Sequence, residues 1–169
     1  MPTIRLAHLE DAAQLPQVET SAGARFREAP GLEWIADDEV TPAQAYPPFI
    51  TDGAVWVAEE DGAILGFLLA TPEGEALHVL ELAVAHEAQG RGLGRALMAA
   101  AAAKARALGL KAVTLTTFRD LVWNEVFYRR LGYRTLAEGE LDERLRGYLA
   151  REIERGLPGE RRCAMRLDL

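Results

Sequence analysis

The chain has 169 residues, a length that predicts one domain with its own hydrophobic core. Its net charge of −7 argues against a general nucleic-acid-binding protein, since such proteins carry basic surfaces. The single cysteine, Cys163, excludes an intramolecular disulfide and a zinc site built from cysteines. No apolar stretch is long enough to span a membrane and no basic-then-apolar signal begins the chain, so a cytoplasmic location is expected.

The first part of the chain predicts one strand, one helix and a long irregular segment. Thr3–Ala7 alternates polar and apolar residues, as a strand does. Asp11 can cap a helix that ends near Gly23, although Pro16 then requires a kink or a later helix start. Residues 26–48 are rich in proline and carry three aromatic residues, which either line a binding pocket or close the core. These residues are Phe26, Trp34 and Tyr46.

Two apolar runs, Ala54–Glu60 and Ala63–Ala70, flank the dipeptide Asp61-Gly62. Because this dipeptide favours a tight turn with positive φ, the two runs predict a β-hairpin. Pro72-Glu73-Gly74 is then expected to turn the chain into the next strand.

Leu77–Val84 is an apolar run that contains β-branched valines, and it predicts a central strand. The chain then breaks at the glycine-rich segment Gln89–Gly94. It continues as an alanine-rich helix that stops at Gly109.

The last part of the chain predicts alternating strands and helices. We expect strands at Lys111–Thr117 and Cys163–Leu169, a further strand beginning within Tyr133–Leu136, and helices at Trp123–Leu131 and Leu141–Ile153. This order of elements implies an α/β fold of the α+β type, a central mixed sheet with helices on both faces.

The order of strand, glycine-rich turn and helix N-terminus forms a site for an anion. The first turn of a helix leaves backbone N–H groups unpaired, and glycine lets the backbone approach a ligand closely. Arg91 and Arg95 add positive charge beside the turn. The expected ligand is a phosphate or pyrophosphate, and the alternative is a tight strand-to-helix connection without a ligand.

Two common phosphate-binding motifs do not fit this segment. The motif GxGxxG read from Gly90 would need glycine at Arg95, and a P-loop would need lysine followed by serine or threonine. The pattern that fits is Q-x-x-G-x-G, with Gln89, Gly92 and Gly94. It resembles the acetyl-CoA pyrophosphate loop of the GNAT superfamily of N-acetyltransferases.

A second segment, FYRRLGY at Phe127–Tyr133, is similar to the FYxxLGF/Y segment of the same family. The two motifs occur in the order and spacing of the family, and the resemblance covers most of the chain. It implies a GNAT-like fold in a single domain over residues 1–169. It also implies an acetyl-CoA-dependent N-acetyltransferase without a metal, acting on a primary amine of a small molecule or peptide, and it is compatible with a homodimer.

The resemblance assigns roles to individual residues. Tyr128 would lie next to the CoA sulfur and serve as the general acid, and backbone groups of the central strand would contact the pantetheine arm and the acetyl carbonyl. Many members of the family carry a CoA-contacting asparagine where this chain has Leu121, so Asn124 either substitutes for it or caps the helix, and capping is favoured. The implied acetyl-CoA-binding residues are Leu82, Ala83, Val84, Gln89, Gly90, Arg91, Gly92, Leu93, Gly94, Arg95, Asn124 and Tyr128.

An alkylammonium must lose a proton before it attacks a thioester, so the chain should supply a base. Glu81 ranks first, because a carboxylate in an apolar strand is costly unless it faces a wet pocket. His78 is the second candidate: its ring pKa suits proton transfer near neutrality, or it is an ordinary histidine near a strand start. The two side chains face opposite sides of a regular strand, so only a bulge would place both in one pocket.

We expect direct acetyl transfer in a ternary complex, because Cys163 lies far from both motifs in the sequence. A catalytically silent acyl-CoA-binding or regulatory module is the alternative, and it would need the loop but neither Tyr128 nor a base. A different acyl donor or an oxygen acceptor is a third option.

Overall fold

The computed structural model describes all 169 residues and contains one mixed sheet of seven strands with helices between them. The strands are β1 (Thr3–Leu6), β2 (Val55–Glu60), β3 (Ala63–Glu73), β4 (Ala76–Val84), β5 (Ala112–Phe118), β6 (Arg134–Thr135) and β7 (Arg162–Asp168). Their order in the sheet is β1-β2-β3-β4-β5-β7-β6. Strands β4 and β5 pair in parallel, whereas β2 pairs antiparallel with β1 and β3, and β7 with β5 and β6. The predicted mixed sheet is confirmed.

The α-helices are α1 (Leu15–Gly23), α2 (Pro47–Thr51), α3 (Leu93–Ala107), α4 (Phe127–Arg130) and α5 (Glu143–Glu154). The chain divides into two compact units. Unit 1 comprises Met1–Pro72 and Leu80–Lys104, and unit 2 comprises Glu73–Val79 and Ala105–Leu169. A single domain over the whole chain stays a prediction.

The core of unit 1 joins side chains of α1, α2, β2 and β3, including Leu15, Ile50, Val57 and Phe67. Gly66 in β3 allows the close packing beside it. A Cβ atom there would lie 3.0 Å from the carbonyl oxygen of Ala83 and 3.5 Å from a methyl group of Leu97 in α3. A side chain at this position would therefore displace strand backbone, not only a flexible neighbour.

The core of unit 2 includes a cluster of Leu136, Leu141, Leu145 and Ala164, against which Leu149 packs. Helix α5 carries Leu145 and Leu149 and begins after Asp142, whose carboxylate accepts a 2.8 Å hydrogen bond from the Leu145 amide. This cap satisfies one of the unpaired N–H groups of the first helical turn.

The predicted hairpin is confirmed, since Asp61 and Gly62 join β2 to β3 with φ of 53° and 81°. Two boundaries were predicted wrongly. Asp11 does not cap α1, because a 3-10 turn over Leu9–Gln14 comes first. The later helix start, one of the two alternatives for Pro16, is confirmed, since Pro16 lies in the first turn of α1. Pro72 and Glu73 extend β3, so the turn before β4 begins only at Gly74.

The three aromatic residues of the long segment have different environments. Tyr46 is only 1 % exposed and packs edge-on against Phe67, with ring centroids 5.7 Å apart, so it closes the core. Trp34 remains 41 % exposed, and Phe26 is half-buried. Only Tyr46 is therefore fully enclosed as a core residue.

Candidate active site

The loop between β4 and α3 has the backbone expected of an anion site. Gly90 and Gly92 both have φ of 80°, and no atom lies within 4 Å of the position where either would carry a Cβ. The N–H groups of residues 90–95 donate no hydrogen bond within the protein, and the first helical bond runs from the Ala96 amide to the Gly92 carbonyl at 3.1 Å. Six consecutive donors are thus available to a ligand at a helix N-terminus.

Two side chains of this loop are held by the protein itself. The Gln89 amide donates to the carbonyl of Val84 at 3.1 Å, which ties the loop back to the end of β4. Arg91 donates to both carboxylate oxygens of Glu60 at 3.0 and 3.2 Å, and this hydrogen bond lowers the pKa of the Glu60 carboxyl. Arg95 is exposed and forms no ion pair, so its charge remains available beside the loop.

Glu81 lies half-buried in β4, and its charge acts on Tyr46 together with the charge of Glu19. Burial raises the pKa of Tyr46, and the charges of Glu19 and Glu81 raise it further. The Glu19 carboxylate accepts from the Thr41 amide at 3.1 Å and from the Tyr46 hydroxyl at 3.4 Å. The charges of two carboxylates therefore act on the Tyr46 hydroxyl.

His78 is enclosed in unit 2, with 1 % of its surface exposed. Its Nδ1 lies 2.8 Å from the Thr114 hydroxyl and 3.2 Å from Arg144 Nη1, and its ring stacks on Tyr148 with centroids 4.1 Å apart. Since a guanidinium can only donate, we assign Nδ1 as the acceptor and place the proton on Nε2. Burial, helped by the charge of Arg144, lowers the pKa of His78 to about 3.

The expected proton affinity of His78 near neutrality is therefore wrong. A ring with a pKa of about 3 stays neutral at pH 7 and binds a proton weakly. The prediction used the ordinary pKa of an exposed histidine, whereas Thr114, Arg144 and Tyr148 enclose the ring. His78 serves here as a hydrogen-bond acceptor for the docking of α5.

The depressed pKa predicts an acid-sensitive fold. Histidine in the unfolded chain titrates near pH 6.5, so the contribution of the neutral ring is complete above that pH and is lost as the pH falls toward about 3. His78→Asn keeps an acceptor at the place of Nδ1 but does not titrate. Urea unfolding measures the free energy of unfolding at each pH. Between pH 6 and pH 4 this free energy should fall less steeply in His78→Asn than in the wild type, and the two slopes should differ by about 1.4 kcal/mol per pH unit. Exposed His86→Asn is the control; equal slopes for wild type and His78→Asn would contradict the assignment.

Tyr128 lies in the short helix α4 of unit 2 and is 9 % exposed. Its ring makes edge-on contacts with Phe127 at 5.1 Å and with Tyr133 at 6.0 Å. Tyr133 is buried, and its hydroxyl has no hydrogen-bond partner.

Asn124 does not cap a helix, which corrects the favoured interpretation. Its side-chain oxygen accepts from the Thr117 hydroxyl at 2.8 Å and from the Phe118 amide at 3.3 Å, at the end of β5. Its backbone is non-helical, with φ −121° and ψ −107°, inside a π-turn over Val122–Val126. The predicted helix over residues 123–131 is therefore regular only over Phe127–Arg130.

The family model for the acetyltransferase (GNAT) domain matches residues 51–135, about half of the chain. This chain belongs to the GNAT acetyltransferase family. As a member it is an acetyl-CoA-dependent acyltransferase, and the loop of residues 90–95 fits that co-substrate through its unpaired N–H groups and open glycines.

Several solved structures are similar to this GNAT chain. The PaiA N-acetyltransferase from Thermoplasma acidophilum, in complex with coenzyme A, is 16 % identical with a TM-score of 0.72, over 100 % of this chain and 99 % of that chain. N-acetylglutamate synthase from Neisseria gonorrhoeae, complexed with coenzyme A and N-acetyl-glutamate, is 24 % identical with a TM-score of 0.69. The match covers 100 % of this chain and 35 % of that chain. A GNAT family acetyltransferase from Brucella melitensis, in complex with acetyl-CoA, is 26 % identical with a TM-score of 0.57. The match covers 79 % of this chain and 83 % of that chain. These likenesses confirm the predicted fold.

The residues that surround the site residues of this GNAT acetyltransferase were not predicted from the sequence. Glu60 holds Arg91, Glu19 lies with Glu81 near Tyr46, and Arg144 and Tyr148 enclose His78. None belongs to a motif, and each meets its partner only through folding. No group of His, Cys, Asp and Glu side chains is arranged to hold a metal ion. No helix combines the length and apolar character that crossing a membrane requires.

Proposed function

We propose that the chain transfers the acetyl group of acetyl-CoA to a primary amine of a small molecule or peptide by direct attack in a ternary complex. The observation that carries the proposal is the row of unpaired N–H groups over residues 90–95, at the start of α3. These groups would bind the pyrophosphate of acetyl-CoA, with Arg95 adding charge from the first turn. The cytoplasmic location and the homodimer stay predictions.

The strand before the loop would hold the reacting end of the co-substrate. Backbone groups of Leu82, Ala83 and Val84 would contact the pantetheine arm, and a strand N–H group would stabilise the negative charge that develops on the thioester oxygen. Gln89 supports this arrangement indirectly, because its bond to the Val84 carbonyl fixes where the loop leaves the strand. Asn124 would contribute indirectly, because its side-chain oxygen accepts hydrogen bonds from Thr117 and Phe118 and so positions the end of β5.

Glu81 is the proposed base. An ammonium ion gives a proton to Glu81, the free amine forms a bond to the acetyl carbon, and the carbon–sulfur bond then breaks. Tyr128 protonates the departing CoA thiolate, and the second proton of the attacking nitrogen then passes to the resulting tyrosinate. The three protons of the ammonium thus end on Glu81, on CoA and on the amide nitrogen, and charge and atoms balance. Glu81 and Glu19 both act on Tyr46, and a carboxylate is complementary in charge to an ammonium acceptor.

Direct attack is supported by the state of the only cysteine. Cys163 is 1 % exposed, and burial raises the pKa of its thiol to about 11. A buried thiol that stays protonated at neutral pH is a poor nucleophile. An acetyl-cysteine intermediate is therefore not part of the proposal.

Glu81→Gln tests the base. In an assay of thiol release from acetyl-CoA with a panel of amines, we expect kcat/KM for the amine to fall by about 10²- to 10⁴-fold at pH 7. The deficit should shrink as the pH rises, because more amine is then already deprotonated. Acetyl-CoA affinity should be unchanged. Exposed Glu33→Gln is the control; equal activity of the two variants would exclude Glu81 as the base. Acetyl-CoA binding by the wild type without turnover of any amine would favour the silent binding module.

A further inference from the structure

Unit 2 contains a cavity of about 340 Å³ that no step of the proposed acetyl transfer uses. It is lined by α5, by β7, by the segment between β6 and α5, and by Arg119, which directly follows β5. Its volume lies at the lower end of the range of small-molecule sites, about 300–1,000 Å³. None of the proposed catalytic or acetyl-CoA-binding residues lines it.

The charged residues of the cavity are mostly basic. Arg119, Arg146 and Arg162 line it, with Glu138 as the only carboxylate. Arg162 is neutralised, since its Nε donates to Glu152 at 3.1 Å. Arg119 forms no ion pair, and the guanidinium of Arg146 reaches only the carbonyl oxygen of Glu138, at 3.4 Å. In a chain of net charge −7, this cavity therefore carries two guanidinium groups without an ion-pair partner, and Glu138 is the one lining carboxylate that offsets their charge.

The remaining lining is aliphatic. Leu136, Leu141, Leu149 and Ile153 contribute, and Ala150 leaves room between the larger side chains of α5. Cys163 also lines the cavity. Burial and the charge of Glu125 raise the pKa of its thiol, and the charges of Arg119 and Arg162 act in the opposite direction.

We propose that this cavity binds a small aliphatic carboxylate, held through its charge by Arg119 and Arg146 and through its hydrocarbon part by the leucines. Guanidinium groups form strong, charge-assisted hydrogen bonds with carboxylates. An aliphatic wall binds a ligand with an apolar body more tightly than a bare inorganic anion, because apolar surface is buried. The carboxylate belongs either to the acetyl acceptor itself or to a separate effector. Both sources share this chemistry.

Calorimetric titration of the full chain with hexanoate, and with hexanamide as the uncharged match, tests the site. We expect saturable binding of hexanoate and at least about tenfold weaker binding of hexanamide. The double variant Arg119→Gln/Arg146→Gln should lose about tenfold in hexanoate affinity, whereas Arg155→Gln, which directly follows α5 and lies outside the cavity, should not. Absence of saturable binding, equal binding of the amide, or equal loss in Arg155→Gln would overturn the proposal.

A second variant separates binding inside the cavity from the long-range loss of positive charge in the arginine variant. Ala150→Trp places a large side chain into the cavity at an exposed position of α5, and it should abolish hexanoate binding with little effect on unfolding. Because these titrations use neither acetyl-CoA nor an amine, their failure is distinct from failure of the proposed acetyl transfer. In the thiol-release assay, hexanoate that competes with the amine identifies the acceptor as the source, and any other inhibition or activation identifies an effector.

Discussion

Gly92→Glu is expected to weaken acetyl-CoA binding by at least about a hundredfold, which equals about 2.7 kcal/mol of binding free energy. The φ of Gly92 is 80°, a conformation that residues with a side chain rarely adopt. The new carboxylate would stand among the unpaired N–H groups of residues 90–95 and repel the pyrophosphate that they are proposed to bind. Strain and repulsion act in the same direction.

Calorimetry with acetyl-CoA measures the effect, and two variants separate its causes. Gly53 has φ of 70° and equally open surroundings, but it lies in the turn before β2. Gly53→Glu should therefore introduce the same backbone strain as Gly92→Glu and leave the affinity for acetyl-CoA unchanged. Gly92→Ala carries the strain without the charge and should lie between wild type and Gly92→Glu. If Gly92→Glu and Gly53→Glu bind acetyl-CoA equally well, the loop does not hold the pyrophosphate.

The features that could be predicted from the sequence are those set by local chemistry. Asp61-Gly62 needs positive φ and adopts it, and the alanine-rich run after the glycines forms α3 as predicted. The glycine-rich turn was identified because the conformational freedom of glycine and the unpaired amides of a helix start are properties of consecutive residues. Such signals do not depend on which distant segment comes to lie nearby.

The features that were missed depend on distant partners. Asn124 leaves the helical conformation because its side chain bonds to the end of β5, which competes with helical hydrogen bonds. Likewise, the proton affinity of His78 depends on Arg144 and Tyr148, both in a helix far along the chain. Arg91 was expected to add positive charge beside the turn, and Glu60 at the end of β2 forms an ion pair with it. A short-range pattern carries no information on any of these contacts.

Tyr128→Phe is expected to lower kcat by about 10²- to 10³-fold and to leave acetyl-CoA affinity unchanged. The expected loss is chemical, because the phenylalanine ring keeps the edge-on contacts with Phe127 and Tyr133, and only the hydroxyl that would protonate the CoA thiolate is removed. A group that acts only on the leaving thiolate changes the transition state and not the bound ground state. For this reason the effect should fall on kcat and not on binding.

Tyr133→Phe is the matched control for this prediction. It removes a hydroxyl from a neighbouring tyrosine in the same unit, and that hydroxyl is buried without a hydrogen-bond partner. Turnover should therefore be unchanged, and the free energy of unfolding should stay equal or rise by up to about 1 kcal/mol. Thiol release under saturating acetyl-CoA compares the two variants. If both turn over at the wild-type rate, water must protonate the thiolate, and Tyr128 contributes only to the packing of α4. If Tyr128→Phe alone is slow while its calorimetric affinity is intact, the hydroxyl acts in the chemical step, since the two variants remove the same group from adjacent, similarly packed rings.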